Sequence, residues 1–504
     1  MRMETQLCFC GKLPWWRSIV TAALVLVFLV LSGSQRANAL PAFARKYGLR
    51  CSACHESWPM LNYFGQKFKD NGYQMMNDRD APIWQNPGYW PVTFRITPIW
   101  HRVSTGKVLI DTYPGTGSAT PNGAAIQRIT SSGFDLSGLD FHTGGTLEKN
   151  FSFYVLPSSD PTASFHFETA MARLDNIFHS PWLNLKLGKF ELDNLLSEKR
   201  ILTLTGNGGV YQVYHFIPVG DGNIFGQIGD NQLGLELMGH SVDDRTRYSA
   251  SLLSSNDGNV NLIMGANSYT GFFTASQAFD AGKLGVERIG AYAMVGEAAT
   301  YYPTSGSVPN VGAGIANKSF HREGFVGQFY FGPHVDLQVV SQHGWDNAWF
   351  GQGYGNPINT NGDGGANCPS PGPCLPNNVP GTTLPVGSQA PTWNGILFEP
   401  HYVFSPQLIL IGRYETIRMS RQADGSAYTA VGANGITGPT PSSFGNISTY
   451  TVGFRYNPFM TSRAGFAWHN EYNWLHQDGT GPTLGLGTTN INTSELLMGF
   501  DFDF

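Results

Sequence analysis

The chain has 504 residues and a formal net charge of −5, and only 13% of its residues are charged, against about 25% in ordinary soluble domains. This charge argues against nucleic acid as a partner, because nucleic-acid binding depends on neutralising phosphates with Lys and Arg. Glycine occurs 61 times and aromatic residues make up 13% of the chain. Low charge combined with many glycines and aromatics is typical of a transmembrane β-barrel.

The first 39 residues have the order of a secretory signal peptide. Lys12 and Arg17 precede an apolar run over residues 19–31, and Ala37-Asn38-Ala39 follows as an A-x-A cleavage site. The run is shorter than the roughly 20 apolar residues that a membrane-spanning helix needs. We therefore predict export with removal of residues 1–39, and an uncleaved anchor is the alternative.

Residues 51–55, Cys-Ser-Ala-Cys-His, form the C-x-x-C-H pattern by which a c-type haem is attached. The two cysteines bind the porphyrin covalently and the adjacent histidine supplies one axial iron ligand. The pattern predicts one covalent haem c on Cys51 and Cys54, with His55 on the iron. A redox disulfide and a zinc site are the alternatives, although no second C-x-x-C pair is present to complete four zinc ligands.

Residues 40–90, which we call the N-terminal segment, contain one predicted helix. Leu61, Phe64 and Phe68 recur at helical spacing, and Asn71-Gly72 would end the helix. The apolar stripe would pack on the porphyrin or, alternatively, on a barrel wall. A segment this short can hardly bury a core of its own, so we predict that it lies in or at the mouth of the barrel.

The sixth iron ligand is predicted to be Met75 or Met76, which follow the helix and can fold back over the distal face of the haem. An open or histidine-ligated iron is the alternative, with His101 on the first strand as one histidine to consider. Met60 is set aside because it lies close to His55 in the chain.

Several segments between residues 91 and 504 alternate apolar with polar or small residues, as barrel strands do. They cover residues 183–188, 233–237, 335–339 and 450–456. The chain ends on Phe500-Asp501-Phe502-Asp503-Phe504, and a terminal phenylalanine resembles the assembly signal of bacterial outer-membrane barrels. A soluble β-sandwich would give the same alternation, but the signal peptide and the terminal strand favour the barrel.

The predicted fold class is therefore all-β: a transmembrane antiparallel β-barrel of about 16 strands, within a range of about 14 to 18, that follows a small helical haem segment. Residues 242–245 are predicted to form a short periplasmic turn. The long extracellular connections are predicted at residues 104–124, 352–392 and 422–446.

Other polar residues receive weaker predictions. Cys368 and Cys374 lie in a Pro- and Gly-rich stretch, and in an exported protein they predict a loop disulfide. A few carboxylates and histidines are candidates for binding a cation, although lining the lumen is their more ordinary role: Asp140, His142, His166, Glu168 and Asp363. No catalytic residue is assigned.

The stretches 41–45, 48–55, 59–65 and 68–73 resemble the fused monohaem cytochrome c-porins of bacterial outer membranes. That family includes the outer-membrane iron oxidase of iron-oxidising bacteria. The resemblance implies haem ligation by Cys51, Cys54 and His55, contact with outer-membrane lipid, and an activity like that of an iron:cytochrome c oxidoreductase.

On this resemblance, extracellular Fe(II) is the expected electron donor. A periplasmic c-type cytochrome or another soluble carrier is the expected acceptor. Two alternatives stay open: an electron conduit for another extracellular donor, and a diffusion porin with a haem-containing plug.

Overall fold

The fold is taken from a computed structural model. The structure describes residues 42–47, 49–57, 60–75, 92–111, 124–159, 165–196, 213, 231–254, 269–301, 315–346, 392–405, 407–419, 429–431, 437–439, 446–460, 465–481 and 489–503. The predicted signal peptide, Met76, Asp363 and the predicted disulfide of Cys368 with Cys374 lie outside these residues. No helix among the described residues is long and apolar enough to cross a membrane.

Sixteen antiparallel strands of the described chain form one closed barrel, which confirms the predicted all-β class and strand number. In chain order the barrel strands are β3 Val92–Asp111, β4 Ala124–Glu148, β5 Phe151–Ser159, β6 Phe165–Leu174, β7 Asn184–Glu191, β8 Asn231–His240, β9 Thr246–Ser254, β10 Tyr269–Asp280, β11 Val286–Tyr301, β12 Ile315–Tyr330, β13 Val335–Asp346, β14 Thr392–Ser405, β15 Leu408–Met419, β18 Ile447–Met460, β19 Gly465–Gly481 and β20 Thr489–Asp503. A small separate hairpin, β16 Thr429–Val431 with β17 Thr437–Pro439, lies between β15 and β18 in the chain.

The barrel closes because its last strand pairs with its first. β20 pairs with both β19 and β3, and Leu496 lies opposite Arg102 across the closing seam. Closure gives every described barrel strand a neighbour on both sides, which is what a sheet needs in lipid, where no water is present to satisfy backbone groups.

The predicted alternation separates an apolar outer face from a polar inner face. On β7 and β8, Leu187 and Leu235 are exposed on the outside, whereas Lys186 and Glu236 are buried on the inside and paired with each other. On β18, Val452 is exposed and Arg455 is fully buried. The outer face can therefore contact lipid and the inner face lines a lumen.

The strand connections are short at one end of the barrel and long at the other. Residues 241–245, 281–285 and 331–334 join neighbouring strands at the short end, which includes the predicted turn at 242–245. At the other end, β14 begins at Thr392 and β18 at Ile447, as the predicted long connections require.

Two connections differ from the sequence prediction. The predicted loop over residues 104–124 begins too early, because β3 continues to Asp111 and pairs with β4 as far as Ala124. A register shift between Thr105 and Val108 lets the two strands stay paired beyond Thr105. The long connection at residues 192–230 was not predicted.

The described part of the N-terminal segment forms three short helices and one strand pair. The helices are α1 Ala42–Tyr47, α2 Cys51–Cys54 and α3 Tyr63–Asp70. Between α2 and α3, the strands β1 His55–Ser57 and β2 Met60–Leu61 pair antiparallel. The predicted helix is confirmed at α3, and Asn62 caps its start while Asn71 caps its end.

Candidate functional site

The C-x-x-C-H pattern occupies a single helical turn followed by a short strand. The turn is α2, in which the amide of Ala53 donates to the carbonyl of Arg50 at 2.9 Å. His55 begins β1 and pairs with Leu61 of β2. Positions i and i+3 of a helix lie on one side of it. This turn therefore allows Cys51 and Cys54 to face one ligand, with His55 directly after them.

One side chain ties this turn to helix α3. The Asn62 side-chain amide donates to the carbonyls of Ser52 at 3.3 Å and Ala53 at 3.1 Å, and its oxygen accepts from the amide of Gly65 at 2.9 Å. The backbone N–H of Asn62 also donates to the carbonyl of Cys54 at 2.9 Å. A Cβ on Gly65 would lie 2.0 Å from that same carbonyl oxygen, so only glycine lets α3 approach the motif this closely.

The residues present fit a c-type haem by the chemistry of their donors. Cys54 and His55 are partly exposed, so neither side chain is buried in packed apolar surroundings. The Cys51 side chain lies outside the described part of the structure. Two thiols on one helical turn and an adjacent imidazole are the groups that such a haem requires. Among the described residues, no group of three or more metal-ligating side chains includes Cys54 or His55.

Arginines from the barrel wall hold the C-terminal end of α3. The Arg173 guanidinium of β6 donates to the carbonyl of Lys69 at 2.8 Å and to that of Asp70 at 2.9 Å. Arg247 of β9 forms an ion pair with the Asp70 carboxylate at 2.8 Å. The last carbonyls of a helix have no partner within it and carry partial negative charge, so cations stabilise this end.

Further contacts come from other parts of the barrel. The Tyr63 hydroxyl donates to the carbonyl of Asp243 at 2.6 Å, in the turn between β8 and β9. From β12, the Tyr330 hydroxyl donates to the Glu56 carboxylate at 2.7 Å. From β13, the Gln338 amide donates to the Met60 sulfur at 3.2 Å. Since β6 and β13 lie nearly opposite each other in the ring, these contacts reach across the lumen near its short-turn end.

A hydrophobic cluster fills part of the lumen. It combines Phe68 and Tyr73 of the N-terminal segment with Leu195 and Leu196 of the connection between β7 and β8. It also contains inward-facing wall residues, namely Phe272, Tyr292, Met294, Phe320, Val326, Val340 and Leu397. Of the predicted helical stripe, Phe68 packs in this cluster, with its ring against those of Phe43 and Tyr73.

A cavity of about 650 Å³ lies beside the motif. Leu61 and Phe64, the other two residues of the stripe, line it together with Glu56 and the wall residues Arg247 and Arg288. Its volume is in the range of pockets that hold small organic ligands. Burial raises the pKa of the Glu56 carboxyl to about 7, and the negative charge of Asp336 acts in the same direction.

The candidate sixth ligands lie in different surroundings. The Met75 side chain is half-buried and packs against the lumen cluster. Met60, which sequence reasoning set aside, is only 1% exposed, lines the cavity and packs on Ile409 and Ile411. His101 on β3 lies 3.7 Å from the Glu495 carboxylate. The sixth ligand stays a prediction.

The candidate cation ligands that the structure describes belong to the wall of the lumen. Asp140 pairs with Arg95 at 2.5 Å and accepts from Ser158, while His142 contacts the Tyr154 hydroxyl at 2.6 Å. Neither belongs to a group of three metal-ligating side chains among the described residues, nor do His166 and Glu168.

Sequence reasoning missed the two arginines and the connection at 192–230. The sequence did carry a signal for these contacts, namely single arginines within alternating strands. An arginine that faces the lumen at membrane depth needs a polar or charged partner, which the N-terminal segment could supply.

No family model matches the chain, and no curated protein does. Among solved structures, it is similar to the anion-selective porin from Comamonas acidovorans, at 10% identity over 82% of this chain and 99% of that chain, with a TM-score of 0.44. It is also similar to the outer-membrane channel DcaP of Acinetobacter baumannii, at 10% identity over 81% and 96%, with a TM-score of 0.42. For outer-membrane expressed OmpT of Vibrio cholerae the identity is 10% over 82% and 98%, with a TM-score of 0.40.

The closed barrel itself, apolar outside and polar inside, is the architecture of bacterial outer-membrane proteins. The predicted location in the outer membrane and the barrel part of the predicted resemblance are therefore confirmed. The cytochrome part of that resemblance stays a prediction.

Proposed function

We propose that this porin-type barrel is an electron-transfer protein, in which a haem c attached at Cys51 and Cys54 connects an extracellular donor with a periplasmic carrier. The observation that supports the proposal most is the position of the N-terminal segment that carries the C-x-x-C-H motif, because Met60, Lys69 and Asp70 of this segment contact the inner wall from β6 to β13. When bound, the haem would supply one-electron transfer.

The residues of the chain have separable roles in this proposal. Cys51 and Cys54 would attach the haem, and His55 would occupy one axial position. Asn62 and Gly65 hold the motif against α3, while Arg173 and Arg247 hold α3 against the wall. The hydrophobic cluster excludes water from this part of the lumen. The site is therefore rigid on the side that faces the barrel.

The expected donor is extracellular Fe(II), and the expected acceptor is a periplasmic c-type cytochrome or another soluble carrier. Both come from the sequence resemblance. Ferric iron precipitates at neutral pH, so a cell gains by oxidising Fe(II) outside. If the extracellular donor is a different compound, the protein would transfer electrons along the same route from that donor.

A diffusion porin with a haem-containing plug is the second candidate. The barrel favours it, because barrels of 16 to 18 strands are wide enough to form aqueous channels. It predicts solute flux that changes when the N-terminal segment is displaced. The hydrophobic cluster inside the lumen supports the first candidate, because an open channel would leave those side chains in water.

The test uses full-length protein in outer-membrane vesicles. The visible spectrum of the air-oxidised protein is recorded before and after addition of Fe(II). Reduced c-type bands that appear promptly would support iron as donor, whereas bands that appear only with dithionite would point to another donor or to the porin. A wild-type spectrum without haem would refute the proposal. Cys54→Ala is expected to lose the covalent haem, with the barrel intact in the same vesicles.

Conductance in planar bilayers separates the two candidates. The electron-transfer proposal expects the intact protein to stay closed to ions, and steady conductance of the intact protein would favour the porin.

A further inference from the structure

A group of metal-ligating side chains lies on the barrel strands, away from the N-terminal segment. His321 and Glu323 belong to β12 and His343 belongs to β13. One ligand atom from each lies within 4.8 Å of the others. In the strand register Glu323 is directly opposite His343, and residues i and i+2 of a strand share a face. The register therefore brings all three side chains together.

The group faces outward. Arg322, between His321 and Glu323, is 0% exposed and points into the lumen, where it lies over the Trp393 ring. Phe325, two residues beyond Glu323 on the same face, is 70% exposed. Because successive side chains of a strand point to opposite faces, His321 and Glu323 share the outer face with Phe325.

The position along the strand places the group at one edge of the apolar band. Phe331, in the short turn after β12, is exposed and marks the other edge. The ten residues from His321 to Phe331 rise about 25 Å along the membrane normal for a strand tilted by about 40°, which matches an apolar band about 25 Å tall. The Trp345 ring stacks on His321 with centroids 5.2 Å apart, as expected in an interfacial aromatic girdle.

The geometry suits a shared metal ion. His321 Nε2 lies 3.9 Å from a Glu323 carboxylate oxygen, which is too far for a hydrogen bond. Two atoms that each bind one zinc ion at about 2.1 Å are at most about 4.2 Å apart, so this pair meets the requirement as it stands. The ligand atom of His343 lies within 4.8 Å of the other two ligand atoms. A movement of the His343 side chain by less than about 1 Å would therefore let it bind the same metal ion.

The third ligand is already oriented. His343 Nδ1 lies 3.0 Å from the Asn394 side-chain oxygen on β14, which leaves Nε2 as the nitrogen for a metal. Metal-binding histidines commonly donate their other ring N–H to an oxygen in this way.

We propose that His321, Glu323 and His343 bind a divalent first-row transition-metal ion at the outer surface of the barrel, at the edge nearer the long connections. Two imidazoles and one carboxylate suit zinc, nickel, copper or ferrous iron, and they leave coordination positions open to water. This site is independent of the proposed haem and rests on the strand register and on the distances between the three side chains.

The test is isothermal titration calorimetry of untagged, full-length protein in detergent, with Zn²⁺ as the probe. Wild-type protein is expected to bind one equivalent at the site, and the double variant H321Q/H343Q is expected to lose that binding. His334→Gln is the matched control, because His334 is an exposed histidine of the 331–334 turn outside the group. Asn394→Leu is expected to weaken binding about tenfold through loss of the oriented ring.

Wild-type affinity in H321Q/H343Q would overturn the proposal, as would equal loss in His334→Gln. Migration of unheated protein in gel electrophoresis reports whether each barrel is folded. Should the double variant fail to fold, Glu323→Gln keeps both histidines and is expected to bind Zn²⁺ more than about tenfold more weakly. Wild-type affinity in that variant would equally refute the site.

Discussion

Replacing Arg173 with methionine removes the side chain that joins the barrel wall to the end of α3. In the native protein its guanidinium donates to the carbonyls of Lys69 and Asp70 and lies 2.6 Å from the Asp175 carboxylate. Methionine has a similar length but no hydrogen-bond donor. In the variant, two carbonyls and one carboxylate would therefore lose their charged partner. The site is buried, since Arg173 is only 2% exposed in the native protein.

Each of the two hydrogen bonds from this charged donor to the segment contributes about 1.5–3 kcal/mol, so losing both costs about 3 kcal/mol or more. Because about 1.4 kcal/mol corresponds to a factor of ten, the equilibrium between a seated and a displaced segment should shift by at least about 100-fold. Asp175→Asn in the same chain removes the stranded charge while keeping an acceptor for the Ser152 hydroxyl, which lies 2.7 Å away. The double variant R173M/D175N should therefore recover part of the loss.

Displacement is measured by the rate at which trypsin cleaves full-length protein at Lys67 and Lys69 in detergent, and by conductance in planar bilayers. R173M is expected to be cleaved at least about tenfold faster than wild type and to show long-lived conductance steps. Arg102→Met is the control, because Arg102 is exposed on β3. Wild-type cleavage and a closed lumen in R173M, with the barrel folded, would refute the conclusion that Arg173 holds the segment.

Two further substitutions test how the segment is packed. Gly65→Ala places a Cβ 2.0 Å from the carbonyl oxygen of Cys54, so it should separate α3 from the motif. The amount of covalent haem per polypeptide should fall, and tryptic cleavage should become faster. Gly133→Ala is the control, because a Cβ there meets no atom within 4 Å, and it should change neither the haem content nor the cleavage rate. Phe68→Ala removes a ring that is 8% exposed within the lumen cluster and should destabilise the seated segment by about 3–5 kcal/mol. Phe325→Ala, on the outer face, should leave tryptic cleavage unchanged, and equal sensitivity of both Phe variants would contradict the packing argument.

Most of the barrel was predictable because its information is local. Alternation with period two identifies a strand and its two faces without knowledge of its partners, as the sequence around Leu235 and Val452 shows. The predicted haem motif is local in the same sense, since Cys51, Cys54 and His55 lie within five consecutive residues. The early end assigned to β3 shows the limit of local information, because β3 continues past Thr105 through a register shift that depends on its partner β4.

The contacts that seat the N-terminal segment were not predictable, because they depend on register across the whole barrel. Arg173 and Asp70 are separated by 103 positions, and Gln338 and Met60 by 278. Nothing in the flanking sequence of either residue indicates its partner. The outward group of His321, Glu323 and His343 likewise appears only after β12 and β13 are aligned.

The inner wall bears on the choice between an electron-transfer protein and a diffusion porin. Phe272 and Phe320 point into the lumen, yet they are at most 1% exposed, which requires other apolar groups to cover them. Withdrawing the N-terminal segment would expose at least Phe68 and Tyr73, at about 1.5–3 kcal/mol each, in addition to the loss at Arg173. These costs of withdrawing the segment add up to more than about 5 kcal/mol. The fraction of molecules whose lumen opens spontaneously is then below roughly one in a thousand. Free diffusion through this lumen would thus need a ligand or a partner that offsets this cost, whereas electron transfer through a seated segment needs no opening at all.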